Sequence, residues 1–124
     1  MALACLLAFF AVGLGAFGAH ILRDRLSESM LETFRTGVDY HALHAIALLF
    51  VAMLWRANPE ATKLKWTCIL FSLGILIFSG SLYALALSGV RWLGAITPIG
   101  GVCFLTGWLI AAVAVASLPE YRNS

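Results

Sequence analysis

Residues 66–88 read WTCILFSLGILIFSGSLYALALS, without an Asp, Glu, Lys or Arg among them. A hydrocarbon layer of roughly 30 Å is crossed by about 20 helical residues, so this run predicts a transmembrane helix. Polar and apolar residues do not alternate along it, which argues against a barrel strand. Outward from this stretch, three more blocks repeat the pattern: Leu3–Ile21, Tyr40–Trp55 and Leu93–Leu118. Inside lipid every backbone N–H and C=O must be satisfied within the chain, and long apolar runs meet that demand as helices. The expected fold is all-α and polytopic: four transmembrane helices plus one amphipathic surface helix, in a single domain over residues 1–124.

Composition agrees. Hydrophobic residues make up 62% of the 124 and charged residues 11%, against roughly 45–50% and 25% in soluble domains. A soluble domain of this size leaves too much surface exposed to hide four such blocks. The net charge of +2 is too small to point to nucleic acid. Cys5, Cys68 and Cys103 sit inside apolar blocks without paired spacing, so they read as small packing residues and not as a zinc or redox motif. The first block lacks the charged start of a signal peptide, and its apolar run exceeds the usual length of roughly 7–15 residues, so it reads as a retained helix.

Charges mark the loops. Arg56, Lys63, Lys65 and Arg122 fall on the face of the termini; Arg23, Arg25, Arg35 and Arg91 fall on the other. The Lys and Arg counts tie, but Arg56, Lys63 and Lys65 crowd one short loop, which places the termini on the cytoplasmic side. Between the first two blocks, Leu26, Met30, Phe34 and Val38 recur every four residues opposite Glu28, Glu32, Arg35 and Asp39. This predicts an amphipathic helix along the membrane surface, capped at Ser29 with Glu32 or beginning slightly earlier, and bending inward at Gly37. In the last block Pro98 removes one helical hydrogen bond. The helix either kinks there or starts there with Thr97 as its cap; the second is expected. Ala11/Gly15/Ala19, Gly80/Ala84/Ser88 and Cys103/Gly107/Ala111 form small-residue stripes suited to close helix packing, with a homodimer seam as the alternative for the first.

Chemistry concentrates in the histidines and their neighbours. His20 ends the first block, His41 and His44 open the second beside Tyr40, Tyr83 lies late in the third, and Thr97 opens the fourth. If each block begins at the interface, these groups form one layer roughly 5–10 Å below the face opposite the termini. His20 and His44 are expected to turn inward and converge, because an imidazole facing lipid loses water without replacement. The layer has three readings: interhelical hydrogen bonding that fixes registry, a site for a small molecule, ion or proton using His20, Tyr40, His44, Tyr83 and Thr97, and haem or metal ligation. No nucleophile–base arrangement, paired catalytic carboxylates or phosphate-cradling glycine loop is present. The acids lie outside the four blocks, which disfavours carboxylate-coupled antiport.

Gly15-Ala16-Phe17-Gly18-Ala19-His20, Tyr40 with His44, Phe78-Ser79-Gly80-Ser81-Leu82-Tyr83 and Thr97-Pro98-Ile99-Gly100-Gly101 together resemble the YgdD/YwdK-like family of small bacterial inner-membrane proteins. The resemblance covers nearly the whole chain. It implies four transmembrane helices in the inner membrane and supplies no activity and no cofactor. His41 stands where the family pattern has glutamine, which favours His20 and His44 as site residues. The expected role is a non-enzymatic accessory or scaffold bundle. Its expected partners are the lipid bilayer and either further copies of itself or a larger membrane complex.

Overall fold

The computed structural model describes Met1–Leu118. Arg122, placed by its charge on the face of the termini, lies outside these residues. Helix α1 covers Ala2–His20 and ends in a short 3-10 turn, Leu22–Asp24; helix α2 covers Glu28–Ala57. The third span consists of α3 (Thr62–Gly74), a π-helical turn (Ile75–Ser79) and α4 (Gly80–Ser88). A 3-10 turn, Arg91–Ala95, precedes α5 (Thr97–Ala116). Among the described residues four helical stretches are long and apolar enough to cross a membrane: Ala2–Asp24, Glu28–Ala57, Thr62–Ser88 and Arg91–Ala116. Their outer faces are greasy: Phe9, Val12, Leu76 and Leu105 are 70%, 75%, 67% and 73% exposed. Such a surface is stable against acyl chains and not against water.

The amphipathic stretch is helical but is not a separate surface helix. It continues without interruption into the second span, and Gly37 lies within α2. The reason lies in what its apolar stripe touches. Phe34 is fully buried, its ring 3.0 Å from where a Cβ on Gly18 would stand and 5.0 Å from the Tyr83 ring. The stripe packs on α1 and α4 and is not left to lie on lipid. At helical rise α2 is about 45 Å long, so its charged first turns extend past a hydrocarbon layer of about 30 Å. Its cap is Ser27, whose hydroxyl accepts the Met30 N–H at 3.2 Å, and not Ser29.

The fourth block breaks where the proline requires. Pro98 falls in the first turn of α5, where its missing N–H leaves no intrahelical bond unmade. Thr97 does not cap that helix; its side chain is engaged elsewhere. The π turn in the third span was not legible in the sequence. One extra residue in a turn rotates the downstream side chains by about 100°. At its end and beyond, Ser79 and Tyr83 point to α2 and Ser81 points to α5, while Ala84 and Ser88 are exposed. Hence the Gly80/Ala84/Ser88 stripe is not a packing seam within the bundle. Gly107 and Ala111 of the third stripe are buried; in α1 the buried small residues are Ala4, Ala11 and Gly18, with Ala19 exposed.

Backbones come closest where α5 crosses the π turn. A Cβ on Gly100 would collide with the backbone nitrogen of Phe78 and lie 2.7 Å from its Cα. Glycine is therefore required there by contact with another main chain. Gly89, at φ 72°, closes α4 in the left-handed conformation. Helix α2 is the hub, packed on α1, α3, α4 and the π turn, and α3 lies along α5.

Candidate functional site

His44 sits at the centre of the bundle, 2% exposed and about halfway along α2. Its ring stacks on Phe104 of α5, with centroids 3.5 Å apart and planes at 11°. Phe71 of α3 meets it edge-on at 5.3 Å. Both ring nitrogens are engaged. The Trp108 indole N–H, which can only donate, reaches Nε2 at 3.0 Å. Nε2 must then accept, so the proton resides on Nδ1, which donates to the Tyr40 carbonyl at 2.8 Å. The partners thereby fix a neutral imidazole in one tautomer, with no lone pair left for a metal or a substrate.

One turn earlier on α2, His41 is 4% exposed and its Nδ1 lies 2.9 Å from the Tyr83 hydroxyl. The Leu7 carbonyl of α1 approaches this ring, yet Nε2 makes no hydrogen bond of standard geometry. It is the one buried side-chain nitrogen or oxygen without a partner among the described residues. Nearby, the Ser79 hydroxyl of the π turn donates to the Gly37 carbonyl at 2.7 Å. Ser81 and Thr97 share a hydrogen bond at 2.7 Å. Polar groups from α2, α4, α5 and the π turn thus pair across the helices. A buried polar atom left unpaired in lipid is costly, and each pairing removes such a cost.

The expected layer is assembled in part. His44, Tyr83 and Thr97 point inward to partners on other helices. Tyr40 joins through its backbone carbonyl; its ring packs on Phe78 at 4.6 Å and is 43% exposed. His20 does not join. It is exposed at the last residue of α1, and the convergence with His44 is not found. The cause is register. Gly18 faces Phe34 and Gly15 faces Val38, which sets His20 level with the beginning of α2. His44 lies about 15 Å further along that helix than Phe34 at helical rise. The apolar pattern starts the second helix at Tyr40, whereas α2 begins at Glu28.

His41, disfavoured by the family pattern, belongs to the network, and so do Ser79, Ser81 and Trp108. For the two serines a signal existed: hydroxyls inside an apolar run seek partners. For Trp108 none did, since a tryptophan among apolar residues reads as lipid-facing or packing. Among the described residues no three His, Cys, Asp or Glu side chains come together in a way that could hold a metal ion.

Comparison with known proteins adds a family. Residues 14–101 match the model described as "Protein of unknown function (DUF423)". Similar proteins include a UPF0382 membrane protein of Staphylococcus epidermidis, 45% identical over 112 residues that cover 90% of each chain. The UPF0382 membrane protein YwdK of Bacillus subtilis is 44% identical over 86% of this chain and 87% of its own. The UPF0382 inner membrane protein YgdD of Escherichia coli K12 is 38% identical over 90% and 85%. These names describe membrane proteins and assign no enzymatic activity. No solved structure matches.

Proposed function

For this chain, which belongs to the DUF423 family of membrane proteins of unknown function, we propose a non-enzymatic role as an accessory or scaffold bundle in the bacterial inner membrane. The observation that carries this reading is the full engagement of His44 by Trp108 and Tyr40. A catalytic or proton-carrying histidine needs a nitrogen that faces a substrate, a water or a titratable group, and the His44 nitrogens face an indole N–H and a main-chain carbonyl instead. The polar layer then works as registry: hydrogen bonds at defined heights hold α2, α4 and α5 in one alignment. A rigid frame of this kind suits a protein that presents its outer faces to partners in the bilayer, whether further copies of itself or a larger complex. The inner-membrane placement accords with the name of the Escherichia coli relative.

Nitrogen-15 NMR of the imidazoles, in protein reconstituted in lipid nanodiscs at neutral pH, tests the reading. His44 is expected as the neutral Nδ1–H tautomer, with Nε2 accepting from the Trp108 indole. His44→Gln, which keeps one donor and one acceptor, should retain most of the thermal stability. His44→Leu should lose about 1–3 kcal/mol, since it strands the Trp108 donor. A charged or Nε2-protonated ring would remove the basis for a purely structural His44.

A second reading rests on His41, whose Nε2 lacks a partner. In that reading a small molecule or ion binds beside His41 and Tyr83, and the layer is a binding site as well as a frame. A ligand-dependent shift of the His41 nitrogen signals, with those of His44 unmoved, would favour it.

A further inference from the structure

We infer that the cleft between the N-terminal half of α1 and the start of α3 is a binding site for an anionic phospholipid of the surrounding bilayer. Helix α1 rests on α2 and does not pack along α3 or α5 as those two pack on each other. On the flank of α2 nearer its C-terminus this leaves an open cleft of about 670 Å³, within the range of roughly 300–1,000 Å³ typical of small-molecule sites. Its walls are apolar, with Leu3 on α1, Leu48 and Ala52 on α2 and Ile69 on α3. The mouth is different. Arg56 from the end of α2 and Lys65 from the first turn of α3 both line it, beside Trp55, and no Asp or Glu does.

The chemistry of the lining selects the occupant. A groove that opens sideways into hydrocarbon is filled by acyl chains, because an apolar slot against lipid neither holds water nor stays empty. Acyl chains alone would accept any phospholipid. The two cations choose among headgroups. They come from different helices and converge where those helices end, which is where a headgroup phosphate stands above its buried chains. A guanidinium offers paired donors to a phosphate, and an ammonium adds a second positive charge. Basic pockets between transmembrane helices take anionic headgroups for this reason, each cation near the surface strengthening the attraction. Trp55, half-buried at the rim, has the amphipathic ring that settles at headgroup level. In this arrangement the lipid fills the gap that the bundle leaves beside α1 and ties α1 to α3 through α2.

The test uses the full chain, purified and observed by native mass spectrometry with added phosphatidylglycerol or with phosphatidylcholine of the same acyl chains. Wild type should retain phosphatidylglycerol preferentially. The double variant Arg56→Gln, Lys65→Gln should weaken that retention about thirtyfold and leave phosphatidylcholine adducts unchanged. Both side chains are exposed, and a melting curve checks that the variant is folded. Ala52→Phe, which fills the apolar wall, should reduce binding of both lipids. A second measurement uses Cys68, which lines the same cleft. In a Cys5→Ala, Cys103→Ala background, phosphatidylglycerol should slow maleimide labelling of Cys68, and glycerol phosphate without acyl chains should not. Equal retention of the two lipids overturns the inference, and so does a phosphatidylglycerol preference that survives the double variant. Protection by glycerol phosphate alone would reduce the site to a surface anion patch and overturn the acyl slot.

Discussion

The two flanks of α2 are built on different principles. On one flank, α2 meets α4, α5 and the π turn through side-chain hydrogen bonds. Every side-chain hydrogen bond between helices among the described residues joins α2, α3, α4, α5 or the π turn to one another. On the other flank, α1 makes no such bond of standard geometry, although its Leu7 carbonyl approaches the His41 ring, and it is held mainly by shape: Ala4, Ala11 and Gly18 are buried, and Gly15 receives Val38. In hydrocarbon there is no hydrophobic force between helices, so packing and hydrogen bonds decide how firmly they associate. The bonded flank should therefore behave as a fixed unit and α1 as a helix that parts from it more easily. Three sets of substitutions probe that contrast.

The largest effect is expected at the crossing of α5 and the π turn. A Cβ at position 100 meets the main chain of Phe78, which has no flexible end to move aside. Gly100→Ala should cost about 2–3 kcal/mol through overpacking, read as loss of thermal stability in nanodiscs. Gly13→Ala is the control, because nothing lies within 4 Å of its Cβ position. Equal stability of the two variants would mean that the bonded flank is not rigid.

The four spans were legible because their signal is cumulative: long apolar runs leave few alternatives in lipid. The break at Pro98 was legible because a missing N–H is a local fact. What the sequence hid depends on partners. The continuity of α2 arises from Phe34 burying itself against α1 and α4, which a stripe of apolar residues does not distinguish from contact with a lipid surface. The π turn has no local signature in Ile75–Ser79. The absence of His20 from the layer comes from the register of α1 on α2, which Gly15 and Gly18 set through Val38 and Phe34. The layer itself was legible as chemistry, since histidines in apolar blocks need partners, but its membership was not. The family pattern points away from His41, and the Trp108 donor carries no mark among its apolar neighbours.

An intermediate effect is expected at Gly18. Its Cβ position lies 3.0 Å from two atoms of the Phe34 ring, so Gly18→Leu wedges α1 away from α2. The penalty should be about 1–2 kcal/mol, and its location matters more than its size. Hydrogen exchange of α1 amides should accelerate, while amides of α3 and α5 remain as protected as in wild type. If all helices lose protection together, the two flanks form one cooperative unit and the contrast fails.

The smallest effect is expected at the hydroxyl pair of Ser81 and Thr97, and its sign structure is informative. The Ser81 hydroxyl donates its only proton to the Phe78 carbonyl at 2.9 Å, so in the 2.7 Å contact with Thr97 it must accept. The Thr97 hydroxyl is therefore the donor. Ser81→Ala leaves that donor without its acceptor at the start of α5, whereas Thr97→Val leaves only a spare lone pair on Ser81. An unmet donor is the costlier loss. Ser81→Ala should lower stability by about 0.6 kcal/mol, the average for such bonds between membrane helices, and Thr97→Val by less. The double variant should be no worse than Ser81→Ala alone, because the same bond is lost in each. Should Thr97→Val be the more damaging single change, the donor assignment is reversed.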